Sequence, residues 1–200
     1  MSAARQIEFP TNTREEFYEL ERTSSIRHEF YGGHIVAMAG GSPRHGRIIG
    51  AVTRILETAL LETSCFAVPN DQLVRVEEAD MDAYPDVVVY CEDAAFDSRF
   101  ERTLLEPLVL VEVLSPSTKN IDLTSKRAAY FELPTVTDYL IFWQDKIRCD
   151  QFVRTSIPEN EPELRRYLNR DSRVRLDSLG IEFRLGDCYR RFDDLPEGAL

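Results

Sequence analysis

The sequence predicts an α/β fold, more closely an α+β mixed sheet with helices packed beside it. Three observations carry this expectation. The runs Pro-Asp-Val-Val-Val-Tyr at 85–90 and Leu-Val-Leu-Val-Glu-Val-Leu at 108–114 are apolar on both faces, as strands inside a covered sheet are. Between 44 and 61, Ile48, Ile49, Val52, Ile55, Leu56, Ala59 and Leu60 recur at helical spacing. A second helical segment, 119–133, separates the first strands from two more strands at 137–143 and 147–153, so that a helix accompanies each half of the sheet.

In chain order, residues 13–22 read as a short amphipathic helix, with Thr11, Asn12 or Thr13 as its cap. Strands 26–31 and 34–38 flank Gly32-Gly33, a hairpin signal. Ser42 and Pro43 suit the N-cap and first position of the long helix. Short strands are expected at 65–68 and 72–76. Ser115-Pro116-Ser117-Thr118 opens the second helix and Pro134 ends it. Segments 173–176 and 181–185 form a last hairpin. The 200 residues read as one domain (1–200), with a core at about 26–153 and a C-terminal extension at 154–200.

Composition narrows the function. At 43% hydrophobic and 30% charged, the chain is of ordinary globular type. It has no apolar run near the ~20 residues that span a bilayer and no signal-peptide pattern at its start, so no membrane partner and a cytoplasmic location are expected. Cys65, Cys91, Cys149 and Cys188 are dispersed without a CxxC pair, and each is read as a reduced, buried or half-buried thiol. A net charge of -11 argues against a protein that coats nucleic acid non-specifically. It leaves room for an enzyme whose carboxylates hold a divalent cation. The charge is uneven: nine acidic residues and one Arg lie in 77–101, and eight Arg against five acidic residues in 163–191. No GxSxG, P-loop or dinucleotide fingerprint is present.

Glu112 is the most informative residue. Strand alternation puts it on a face with Leu108, Leu110 and Leu114, where a carboxylate interrupts an apolar surface. Left unpaired there it would cost several kcal/mol, so it is paired, neutralised or metal-bound. An ion pair or a solvent-open strand end would also satisfy it. Asp86 begins the other core strand, sharing a face with Val88 and Tyr90. Acidic residues on neighbouring central strands can hold one Mg²⁺ through oxygen ligands, although Asp is also common in turns before strands. Lys126 follows Glu112 by fourteen residues, and Asp122 lies four before it, a spacing that also suits a surface ion pair.

YPDVVVY, then LVLVEVLSPSTKNIDLTSKRAAYFEL and TDYLIFW, preceded by RHEFYGGHIVAMAGGSPRHGRI, resemble the Uma restriction-endonuclease-like family, within the PD-(D/E)XK nuclease superfamily. The match spans about Arg27 to Trp143. The resemblance implies a restriction-endonuclease-like core with flanking helices. It also implies a metal-dependent endonuclease acting on DNA phosphodiester bonds with Mg²⁺ or Mn²⁺. Asp86, Glu112 and Lys126 become the catalytic residues, and Asp86, Glu112 and the Val113 carbonyl the metal ligands. Glu29, His45 and Asp122 are accessory candidates. The usual Lys two residues after the Glu is Leu114 here, and Lys126 takes its place. Cleavage of both strands of a duplex suggests a homodimer. The competing expectation is a catalytically inactive nuclease fold used for binding or assembly. Chemistry alone also allows a paired-carboxylate glycosidase, which would not need Lys126.

Overall fold

The computed structural model describes residues 11–38, 40–100, 102–114, 122–157 and 161–190. Helix α1 (Arg14–Thr23) starts from a capping box. Thr13 Oγ1 accepts from Glu16 N at 3.2 Å, while Glu16 Oε2 accepts from Thr13 N at 2.7 Å. Strands β1 (His28–Tyr31) and β2 (His34–Ala37) form the expected hairpin. Its turn needs left-handed backbone, supplied by Gly32 (φ +52°) and Gly33 (φ +84°). Helix α2 (Pro43–Leu60) has Ser42 as N-cap and Pro43 in its first turn.

The strands that follow are β3 (Cys65–Pro69), β4 (Leu73–Val76), β5 (Met81–Ala83), β6 (Val87–Cys91), β7 (Thr103–Leu104) and β8 (Val109–Leu114). A π-type turn, Asp122–Lys126, leads into α3 (Arg127–Glu132). Then come β9 (Asp138–Trp143), β10 (Cys149–Val153), β11 (Glu163–Tyr167), β12 (Arg173–Leu176), β13 (Ile181–Arg184) and a single turn, α4 (Leu185–Cys188). Strands β5, β7 and β11 were not expected. The first two are too short to show a period, and β11 is a largely exposed edge strand whose Glu-Leu-Arg-Arg-Tyr reads as polar loop. The opening of the second helix, 115–121, lies outside the described residues.

Among the described residues, one sheet runs β11-β10-β9-β8-β6-β3 and a second runs β2-β1-β5-β4-β7. β8 and β9 are parallel and the other pairings of the first sheet are antiparallel. The two faces of that first sheet bury different cores. On one, Val87, Val89, Val109, Val111 and Val113 meet Ile48, Ile49, Val52 and Leu56 of α2 and Val174, Leu176 and Phe183 of the last hairpin. On the other, Val88, Leu110, Leu114 and Ile141 meet Val74 and Met81 of the second sheet and Tyr130 of α3. The fold is thus the mixed α/β arrangement that the sequence predicts.

The cysteine reading needs one correction. Cys65 and Cys91 are directly opposed in the β3–β6 register and form a disulfide. Opposed side chains on antiparallel strands lie within bonding reach, but a 26-residue separation hides that proximity in the sequence. Cys149 and Cys188 are the buried free thiols expected.

Candidate active site

The site forms where two central strands part. The β6–β8 ladder ends at Val87↔Val111, whereas β8 stays paired with β9 through Leu114↔Trp143. Extending the first register by one residue sets Asp86 across from Glu112. Asp86 keeps its main chain on the β3 side, its carbonyl accepting from Asn70 N at 3.0 Å in continuation of the β3–β6 register. Its carboxylate fills the vacated ladder position, with Asp86 Oδ2 accepting from Val113 N at 2.6 Å. N–H and C=O of one strand residue point to the same edge, so the Val113 carbonyl also faces this gap.

Glu112 lies between Leu110 and Leu114 on β8 and is 5% exposed, as the alternation predicts. It is paired: Lys126 Nζ donates to Glu112 Oε1 at 2.9 Å. The Tyr130 hydroxyl, one helical turn beyond Lys126, approaches the same oxygen at 3.4 Å. Lys126 also donates to Glu29 Oε1 at 3.0 Å. Glu29 is held in turn by Tyr84 N at 3.1 Å and by the Tyr31 hydroxyl at 2.5 Å. One buried ammonium thus bridges the strand carboxylate of β8 and the hairpin carboxylate of β1. Burial pushes the Lys126 ammonium toward neutrality, but Glu112 above all, with Tyr130 and Glu29, outweighs it and holds the pKa well above the usual lysine value. The Tyr130 and Tyr31 hydroxyls are pushed up, chiefly by burial.

His45 reaches the gap from the other layer. It sits in the first turn of α2, where its N–H donates to the Ser42 cap at 3.2 Å. Ser42 Oγ donates to Gln144 Oε1 at 2.6 Å, tying the helix start to the end of β9. His45 Nε2 lies 3.2 Å from Asp86 Oδ2. A carboxylate only accepts, so Nε2 is the donor.

Of the sequence-predicted residues, the structure joins Glu112, Lys126 and Glu29 in one network, and Asp86, His45 and the Val113 amide in another beside it. Asp122 begins the π-type turn, and its side chain lies outside what is described. Sequence reasoning missed Tyr31, Tyr84 and Tyr130. Tyr130 had a usable signal, four residues after Lys126 on one helical face; Tyr31 shares a strand face with Glu29. Tyr84 contributes a main-chain N–H, which no side-chain pattern encodes.

Among the described residues, no group of three or more His, Cys, Asp or Glu side chains gathers at metal-ligand distances. The groups that could hold a metal, the Asp86 and Glu112 carboxylates and the Val113 carbonyl, would all offer hard oxygens. That suits Mg²⁺ or Mn²⁺, which commonly take one or two protein carboxylates and complete their shell with water and substrate phosphate.

Two uncharacterized proteins of Synechocystis sp. are similar to this chain. One is 28% identical over 182 residues, covering 91% of this chain and 93% of the relative. The other is 26% identical over 140 residues, covering 70% and 79%. A crystal structure of a "putative nuclease belonging to DUF820" from Anabaena variabilis has the same fold, with a TM-score of 0.68 at 15% identity, covering 84% of this chain and 93% of that one. The model of the Uma2 family, described as "Putative restriction endonuclease", matches residues 14–186. With the match reaching from α1 to α4, the chain belongs to the Uma2 family.

Proposed function

We propose that the protein is a metal-dependent endonuclease that hydrolyses phosphodiester bonds of DNA. The observation that carries this reading is the buried Lys126–Glu112 pair beside Asp86, at the point where β6 and β8 separate. Asp86, Glu112 and the Val113 carbonyl would hold Mg²⁺ or Mn²⁺. A bound metal supplies charge neutralisation at the phosphate and a more acidic water. Lys126 presents a fixed ammonium to charge that develops on a phosphate oxygen. Glu29 and Tyr31 orient that ammonium, in place of the lysine that Leu114 removes from β8. His45 holds the Asp86 carboxylate at Oδ2, the oxygen that also accepts from the Val113 amide. Cleavage of both strands would call for two copies of the site, so a homodimer belongs to the proposal, as does a cytoplasmic location, where the Cys65–Cys91 bond would be open to reduction.

A second reading has one observation in its favour. Lys126 pairs with both Glu112 and Glu29 without any metal, as a catalytically inactive binding or assembly module would require. Metal binding separates the two. Calorimetry with Mn²⁺ should give saturable heat for the wild type and none for Asp86→Ala. In parallel, supercoiled plasmid nicking should fall by about 10²-fold or more in Glu112→Gln and Lys126→Met. A wild-type chain that neither binds Mg²⁺ or Mn²⁺ nor nicks plasmid sinks the nuclease reading. Unimpaired nicking by a folded Lys126→Met removes Lys126 from the mechanism.

A further inference from the structure

The outer face of α2 carries a groove of about 440 Å³ that the candidate active site does not use. Its lining is Gly46, Arg47, Gly50, Ala51 and Arg54 of α2, with Asp187 and Arg190 from the C-terminal end of the described chain. Arg47, Arg54 and Arg190 are exposed, and none forms an ion pair with a carboxylate of a described residue. In a chain of net charge -11, three guanidinium groups with no ion pair among the described residues, against the one carboxylate of Asp187, make the groove a local reversal of sign. The floor is also unusual. Gly46 and Gly50 lie inside an 18-residue helix, where each costs up to ~1 kcal/mol relative to Ala. Neither has positive φ, and a Cβ added at either would meet nothing within 4 Å. Packing does not require them. What they leave is room for something to approach the helix backbone between arginines.

We infer that this groove binds the phosphate backbone of duplex DNA flanking the scissile bond. The choice of DNA rests on the nuclease reading above; the anion-binding character rests on the groove itself. The position is apt. The groove begins at Gly46, next to His45, whose ring contacts Asp86. From His45 to Arg54 the helix rises about 13 Å, enough to lie along several phosphates of one strand at ~3.4 Å of axis each. Arginine forks suit phosphate oxygens, and the glycines let the strand come close.

The test is fluorescence anisotropy of a short labelled DNA duplex with the full chain in EDTA, where cleavage cannot interfere, repeated over a range of salt. Arg47→Gln/Arg54→Gln should weaken binding by about tenfold or more and lower the salt slope by about 2. A matched charge control is Arg173→Gln/Arg184→Gln, which removes guanidinium groups already paired with Glu182 and Asp171; it should change affinity by no more than about twofold. A Cβ at Gly50 meets nothing within 4 Å and leucine favours a helix over glycine, so Gly50→Leu should not lower the melting temperature, yet by filling the groove it should bind about tenfold more weakly. Wild-type affinity in both the double variant and Gly50→Leu overturns the inference, as does an equal loss in the control or no duplex binding by the wild type. The nuclease reading is judged separately: nicking that persists in variants with unaltered binding leaves it standing, and a wild type that binds through the groove but never nicks overturns it alone.

Discussion

Asp97 and Asp138 are both buried carboxylates, and their neighbours push them in opposite directions. Burial would raise Asp97, but the backbone N–H groups of Phe100 and Arg99 and the Arg75 guanidinium hold it down to about 2. Asp138 is raised by burial, against donors that are mostly neutral: Gln151 at 2.6 Å, Thr137 at 2.8 Å and Ser178 at 3.3 Å. The linkage signs differ accordingly. Asp97 contributes stability above its unfolded value near ~3.9, and that contribution is lost as pH falls through about 2. The charged form of Asp138 is disfavoured in the fold, so its contribution improves as pH falls through its raised value. In urea unfolding from pH 7 to pH 2, Asp97→Asn should flatten the acid loss and Asp138→Asn should steepen it. The opposite pattern would mean that the two environments are misread. At this scale the sequence was informative where a residue broke a pattern. Glu112 could be found because leucines surround it, and Lys126 through its resemblance to a family pattern. The Glu29–Lys126 contact joins residues 97 apart and has no local signature.

The elements were legible where a period was long enough to repeat. α2, β8 and β9 agree with expectation to within a residue or two, because burial on one or both faces fixed their composition. β5 and β7 follow from tertiary pairing, with β4 as partner to both. The π-type turn before α3 adds a residue to a helical turn, which no apolar period announces. The β3–β6 pair carries its own prediction. Its disulfide closes a 26-residue separation, so reduction, or Cys65→Ala/Cys91→Ala, should lower stability by about 2–4 kcal/mol. Denaturant midpoints with and without reductant read this directly, and coincident curves would show that the bond adds nothing.

At the scale of the molecule, the first sheet is covered on both sides, and the site opens at the end where its central strands separate. The sequence conveyed the covered sheet through its doubly apolar strands. It conveyed less about what covers it, because the last hairpin shows only alternating Val, Leu, Ile and Phe among arginines. That hairpin is no ornament. Val174, Leu176, Ile181, Phe183 and Leu185 are buried against the same core as α2. The buried Tyr189 hydroxyl lies 2.9 and 2.7 Å from the carbonyls of Trp143 and Arg148, and accepts from Trp143 N at 3.1 Å. Asp86, Glu112 and Lys126 all precede these residues in the chain. During synthesis the candidate catalytic groups therefore emerge before the side chains that seal one face of their sheet. A chain ended after Val153 would possess every one of them and still expose Val109, Val111 and Phe142, showing dye binding and a weak near-ultraviolet signal. The groups that would cut DNA thus leave the ribosome ahead of the hairpin that completes one core of their sheet.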